Sequence, residues 1–486
     1  MGKLQTNFIY NAILTGSNVI IPLITFPYIT RKLGPDSYGL ISFVNSFVQY
    51  FIVLSTLGIP IYGIREIAKV RDNYLERSKV FSEILTINIF LLGIVTIFYL
   101  SIIFFIPVFR VNITYYLLGL SLLLTFPFGV YWFFSGMGNF KFITIRTVIL
   151  QVLQVILIYS FVKSKQDSII YFSIFIIISV LNSIINYYYA SSYITFKFCR
   201  NIQFLRKHMQ PLIYLFLFSF AASMYEILDS VLLGLISHNE SVGLYTVANR
   251  IVKLPITFIN ILATVLIPQI AYTVGQNDVK EMSRLVNNSI IFVITLAIPM
   301  SFGVYILAPE IISVFNGNAF QQSVLTLRIM VPLIIILGIS TIFGLQILNP
   351  LSKDKLLTKA VVIGMFFNLI FSFLCMSIWK YNGAALLAVL TELLTAIIAY
   401  IYARRFLPFS LNWKQICITI LISIIFVLIV YIIRLFTYSD LLTLIISIIC
   451  CSIYYFIIQY YLKNEIIIGA KNYILNLIRV GNDKKS

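Results

Sequence analysis

Residues 8–30 read FIYNAILTGSNVIIPLITFPYIT, an uncharged and mostly apolar stretch. A helix needs about 20 such residues to cross a hydrocarbon core of about 30 Å, so this stretch is long enough to span a bilayer. It is too long for the apolar region of a signal peptide and carries no A-x-A cleavage pattern, so it reads as a first membrane helix. Met1-Gly2-Lys3-Leu4-Gln5-Thr6 before it fits the short myristoylation pattern, but a chain with many spans gains nothing from one acyl chain.

Runs of the same kind recur to the end of the 486 residues, of which 60% are hydrophobic and 11% charged. A soluble domain carries about 25% charged residues, so water is not the main solvent of this chain. Cutting at charged or Pro/Gly/Asn-rich breaks predicts helices near 8–30, 40–64, 80–106, 114–136, 143–162 and 169–192, then near 211–236, 243–270, 285–308, 325–348, 359–379 and 383–403. Two more, near 415–436 and 441–461, precede a basic amphipathic tail. The expectation is an all-α polytopic membrane protein of about fourteen transmembrane helices. It divides into an N-terminal six-helix lobe (1–196), a basic cytoplasmic linker (197–210), a second six-helix lobe (211–408) and two additional helices with the tail (409–486).

The net charge of +18 would suggest nucleic acid in a soluble protein. Here the Lys and Arg sit in short loops between apolar runs, so no nucleic-acid partner is expected. With the N-terminus placed in the cytoplasm, most of them fall on the cytoplasmic side, among them Arg65, Lys69, Arg71, Arg77 and Lys79 in one loop. This bias follows the positive-inside rule and predicts an even number of spans, with both termini in the cytoplasm.

The halves also match each other at a shift of about 204 residues. Tyr38-Gly39-Leu40 with Asn45 aligns with Val242-Gly243-Leu244 with Asn249, and Arg71-Asp72-Asn73 with Gln276-Asn277-Asp278. Six spans per repeat is an even number, so both halves enter from the same side and are related by an axis along the membrane normal.

Ionisable residues deep in a span cost about 2.5–3.5 kcal/mol each and normally face a cavity or a partner. Glu226 and Asp229 fall in the seventh predicted helix, Arg250 and Lys253 in the eighth, Arg328 in the tenth and Glu392 in the twelfth. A turn centred near Asn239 and Glu240 would set Asp229 level with Arg250 and Glu226 level with Lys253, each pair at i,i+3 spacing on one helix face. Two readings stay open: the four neutralise one another as packed ion pairs, or they line a cavity where the cations attract an anionic substrate and the acids exchange a proton or cation. Arg328 reads either as a cavity residue or as one snorkelling to the outer interface, and Glu392 as facing a cavity or another helix. Arg31 and Lys32 end the first helix on the outer side, against the charge bias. Prolines within or near spans, such as Pro22, Pro127 and Pro299, permit bends.

Several chemistries have no sequence support. There is no G-x-x-x-x-G-K-[ST] nucleotide loop, no H-E-x-x-H, and no C-x-x-C among the five Cys. The longest predicted outer loop, Pro309 to Ser323, is too short for a catalytic domain. No catalytic residue, metal site, disulfide framework or cofactor is expected.

The chain resembles the Wzx-type polysaccharide repeat-unit flippases, relatives of the lipid II and teichoic-acid flippases and of the MATE exporters. The resemblance rests on Pro27-Tyr28-Ile29-Thr30-Arg31-Lys32-Leu33-Gly34-Pro35-Asp36-Ser37-Tyr38-Gly39 and on Gly63-Ile64-Arg65-Glu66-Ile67-Ala68. Asp229-Ser230 with Gly234, Val242-Gly243-Leu244-Tyr245 with Arg250, Ile267-Pro268 and Leu327-Arg328 add to it. It implies a MATE-like bundle of two six-helix lobes plus two C-terminal helices around a central cavity. It further implies translocation of undecaprenyl-pyrophosphate-linked repeat units across a bacterial inner membrane by alternating access, coupled to Na+ or H+, with membrane lipids and polysaccharide polymerase machinery as partners. A diphosphate needs cations at membrane depth, and Arg250, Lys253, Arg31, Arg65 and Arg328 are those on offer. A teichoic-acid or other cell-wall precursor flippase would share the fold, and a drug exporter would show a more acidic cavity.

Overall fold

The computed structural model describes residues 3–199, 203–264, 266–276, 278–410, 412–462 and 464. The Met1-Gly2 end of the myristoylation pattern, Arg200 of the linker and the amphipathic tail after Asn464 lie outside the described residues. Every regular element among those described is a helix, as lipid requires, because only internal pairing satisfies the backbone there. Eleven helical stretches among the described residues are long and apolar enough to cross a membrane.

The chain divides into two compact units, 1–246 with 372–381, and 247–371 with 382–486. The first contains α1 (Lys3–Thr56), α2 (Ile59–Val70), α3 (Tyr74–Phe105), α4 (Ile113–Thr125), α5 (Tyr131–Met137), α6 (Phe140–Phe161), α7 (Ser168–Ala190), α8 (Gln203–Ile236) and the start of α9 (Asn239–Thr264). The second holds the rest of α9, then α10 (Ile267–Gly275), α11 (Val279–Ile306), α12 (Ala308–Asn316), α13 (Ser323–Met330), α14 (Leu333–Thr341), most of α15 (Asp354–Arg404), α16 (Trp413–Phe436) and α17 (Asp440–Tyr461).

The apolar part of α1, Ile9–Thr56, has 48 residues. At 1.5 Å per residue a straight rod of that length would run about 72 Å, more than twice a bilayer core. It is not straight. In its first arm Tyr10 O accepts from Thr144 Oγ1 at 2.9 Å, and Tyr28 Oη donates to Val162 O at 2.7 Å, so this arm runs parallel to α6. The second arm comes back: Phe43 lies 6.4 Å from Phe109 beyond the far end of α3, and Ser55 O accepts from Asn88 Nδ2 at 2.8 Å nearer its start. The reversal takes one residue, Gly34, at φ 74°, a left-handed backbone that glycine adopts without strain. The sequence predicted a nine-residue break between 30 and 40, with Arg31 and Lys32 closing the first helix and Asp36 in the break. All three ride on the helical arms.

α15 behaves alike. Asn349 Nδ2 bonds Asp354 Oδ1 at its start, and Lys353 lies 4.9 Å from the ring of Phe406 just past its end, so start and end adjoin. The chain turns at Lys380, whose φ is 49°.

Within the first unit, Phe47 and Phe51 interlock with Tyr99, Phe109 and Tyr116, and Tyr99 Oη donates to Tyr116 O at 2.7 Å. Lipid gives helices no hydrophobic reason to associate, so close packing and interhelical hydrogen bonds of this kind hold them. In the second unit Tyr455 Oη donates to Thr295 O at 2.6 Å, tying α17 to α11. Arg434 of α16 makes a bidentate pair with Glu310 of α12, at 2.7 and 2.9 Å. Glu310 is 8% exposed, so Arg434→Met strands a buried carboxylate. With the arginine side chain 39% exposed, water can relieve part of this, and the expected cost is about 1–2 kcal/mol. Thermal unfolding in detergent should show a lower midpoint, and an unchanged midpoint would assign the pair no weight.

Candidate functional site

Two of the positions aligned in the sequence can be compared in the structure. Asn73 caps α3 by accepting from Leu75 N and Glu76 N, and Asp278, its counterpart, caps α11 by accepting from Glu281 N at 2.9 Å. The two aligned glycines meet each other. A Cβ on Gly39 would sit 1.8 Å from Asn239 O, and one on Gly243 would sit 2.1 Å from Pro35 O. The second arm of α1 and the start of α9 therefore cross at backbone contact, which only small residues allow. Gly234 of α8 is packed against a side chain instead, the Phe43 ring, 2.3 Å from where its Cβ would sit.

Beside this crossing sits Asp229 of α8, 6% exposed, with its Oδ2 accepting from Tyr245 Oη of α9 at 2.8 Å. The turn from α8 to α9 is centred on Ser237 and His238. The sequence placed it near Asn239 and Glu240, which are helical and form the first turn of α9. This corrects the predicted register: Asp229 is level with Tyr245, and Arg250 lies five residues, about 7.5 Å, farther along α9 from the turn than Tyr245. Arg250 is half-buried and Lys253 exposed. Glu226 lies in α8 with its side chain outside the described set.

The other predicted residues lie on separate elements, Arg31 and Arg65 in the first unit and Arg328 and Glu392 in the second. Arg31 is exposed at the end of the first arm of α1. Arg65 is exposed on α2, over the Tyr62 ring at 5.2 Å and paired with Glu66 at 3.0 Å. Burial pushes Glu66 up, but the bonds from Lys69 and Arg65 outweigh it and hold its carboxyl below the usual range, so part of the Arg65 charge is already matched. Arg328 stacks over Tyr305 at 5.3 Å and donates to Tyr305 O at 3.3 Å. Glu392 is half-buried in the second arm of α15.

Two features of the first unit escaped the sequence reading. A cavity of about 550 Å³ opens between the second arm of α1, α2, α3, α4 and α7, with Gln49, Thr56, Asn88, Ser179, Asn182 and Asn186 among its polar lining. Asn186 is 1% exposed; its Nδ2 donates to Gly129 O at 2.6 Å, while its Oδ1 and that of Asn182 have no partner among the described residues. Buried carbonyl oxygens left open in this way are suited to water, a cation or a sugar hydroxyl. Nearby elements carry a buried chain of Tyr62 Oη, His208 and Glu83: 2.6 Å to Nδ1 and 2.8 Å from Nε2 to Oε2. It joins α2, α8 and α3. The amide cluster has no charge to draw notice, and Glu83 and His208 lie near helix starts, where a charge normally reads as an interface anchor. Among the described residues no group of three His, Cys, Asp or Glu could hold a metal ion.

With this geometry in hand, the chain can be set beside known proteins. The family described as "Polysaccharide biosynthesis protein" matches residues 4–274, more than half of the chain, and the MatE family matches 215–374. A protein of Escherichia coli (strain K12) described as an O-antigen transporter is 25% identical over 411 residues, 83% of this chain and 97% of its own. A protein of Haloferax volcanii described as a low-salt glycan biosynthesis flippase is 24% identical over 192 residues, 40% of each chain. Among solved structures, the lipid II flippase MurJ in an inward closed conformation superposes with a TM-score of 0.73 at 18% identity, covering 94% of this chain and 99% of its own. A multidrug resistance MATE transporter in an inward-facing conformation gives 0.58 at 15% identity, covering 79% and 93%. The fold is thus MATE-like, as the resemblance implied. The chain belongs to the polysaccharide biosynthesis protein family.

Proposed function

We propose that this protein moves undecaprenyl-pyrophosphate-linked oligosaccharide repeat units from the cytoplasmic to the outer leaflet of a bacterial inner membrane by alternating access. The observation that carries the reading is the nearly end-to-end match to the O-antigen transporter, 97% of that protein's length. The MurJ-like fold supports it, because a lipid II flippase handles a cargo of the same kind, a glycan on a lipid. Transport rather than catalysis fits the relatives' descriptions. Counting α1 and α15 twice and α8 once gives fourteen crossings, an even number that supports having both ends on one side, and the Lys and Arg bias of the loops favours the cytoplasmic side.

Cations receive the pyrophosphate in this reading, and Arg250 and Lys253 of α9 are the first to test. Arg250→Gln is expected to cut outward translocation about tenfold, the equivalent of about 1.4 kcal/mol, while protein level stays within twofold. The assay follows repeat units reaching the outer face of proteoliposomes loaded with lipid-linked oligosaccharide, under an imposed Na+ or H+ gradient. No translocation by the unaltered protein, under any gradient, would refute the reading. Translocation unchanged in the variant would remove Arg250 from the site. Accumulation of lipid-linked repeat units in cells lacking the protein, relieved by its return, would tie the activity to surface polysaccharide synthesis.

A further inference from the structure

A second cavity of the first unit, about 480 Å³, lies between α6 and α7 and is lined by Asn139, Lys141, Ile145, Arg146, Ile149 and Tyr189, among others. Arg146 is six residues into α6, about 9 Å from the helix start. It is only 7% exposed. Its Nη2 donates to Thr147 Oγ1 at 2.9 Å, but Nε and Nη1 are buried with no hydrogen-bond partner among the described residues. The guanidinium rests over the Phe142 ring at 5.6 Å, and that ring stacks on Tyr189 at 3.7 Å. A buried guanidinium with two unpartnered nitrogens and no carboxylate paired with it among the described residues is costly, and an anion reached by a small rotation of its terminal bonds removes the cost.

The surroundings narrow the class of anion. Ile145 and Ile149 are 44% and 60% exposed beside Arg146, on a helix that spans lipid. The cavity thus offers one buried cation, Arg146, with the exposed Lys141 also on its lining and aliphatic surface outside, the pattern of basic pockets between membrane helices that take anionic head groups. None of the residues assigned to cargo in this chain contributes to it.

We propose that this cavity binds the phosphate of an anionic lipid of the cytoplasmic leaflet, with Arg146 as the main ligand, Lys141 as the second, and the lipid chains lying along α6. The inference stands independently of the transport reading. It is tested on the full-length purified protein by native mass spectrometry with phosphatidylglycerol, phosphatidylcholine and polyprenyl phosphate, titrated separately, and with inorganic phosphate as competitor.

Phosphatidylglycerol is expected to be retained at least about tenfold better than phosphatidylcholine. Arg146→Gln should abolish that preference and Lys141→Gln should reduce it about threefold. If polyprenyl phosphate binds with the same dependence on Arg146, the head-group chemistry is upheld and the relative affinities name the natural source. Equal retention of the two glycerolipids, or an undiminished preference in Arg146→Gln, overturns the proposal. So does displacement of the lipid by millimolar inorganic phosphate alone, which would make this a free-anion site. Should Arg146→Gln not fold, the exposed Lys141→Gln decides: no loss of preference there counts against the site.

Discussion

Gly39→Ala is expected to reduce translocation at least about tenfold with the protein still inserted. Its Cβ would fall 1.8 Å from Asn239 O, and the atom it meets is backbone, which cannot swing aside as a side chain does. Extra atoms in a packed site typically cost about 1–3 kcal/mol. Here the helices must part to accept one, so the second arm of α1 and the start of α9 lose their contact. Gly243→Ala, the counterpart in the other repeat, should act alike because its Cβ would fall 2.1 Å from Pro35 O. The two lesions lie in one contact, so the double variant should lose much less than the sum of the singles. Translocation within twofold of normal in both single variants would mean that this crossing is not made in the working protein.

The second large effect is expected at Asp229 and Tyr245. Tyr245→Phe removes the hydroxyl that donates to a carboxylate only 6% exposed, and a hydrogen bond to a charged group contributes about 1.5–3 kcal/mol. A fall of several degrees in the unfolding midpoint follows. Asp229→Asn keeps an acceptor for Tyr245 without the charge, so it should be the milder change. Combining Asp229→Asn with Tyr245→Phe should recover part of the loss of Tyr245→Phe, since the charge that the hydroxyl helped to bury is then gone. Strict additivity would show that the two side chains are not coupled. Comparing Asp229→Asn with Arg250→Gln in the transport assay separates a structural acid from a working one: a stability loss without a transport loss assigns Asp229 to packing.

The helices were legible because lipid leaves so few alternatives: an apolar run of sufficient length must be a helix, whatever its neighbours. Gly39 and Gly243, which the sequence aligned with each other, are glycines because the backbone crossing at which they meet tolerates nothing larger. The turns were less so. Arg31, Lys32 and Asp36 look like a helix end and the break after it, yet one glycine at positive φ reverses the chain without a loop. Asn239 and Glu240 look like a turn, yet an amide and an acid are also what the first turn of a helix favours, and that shifted the register of Asp229. The rest of the site depends on burial, which sequence position does not reveal. Arg146 and Glu83 lie close to helix starts, where either could have been a solvated anchor, and only the packing of α7 and α8 against them shows otherwise.

The one-residue reversals at Gly34 and Lys380 bear on how the chain enters the membrane. Two arms joined with almost no linker cannot settle independently, because neither can wait in water while the other finds its orientation. They are expected to insert as paired hairpins, each answering as a unit to the basic residues at its open end. Moving positive charge across one such end would then reorient two crossings together, or none.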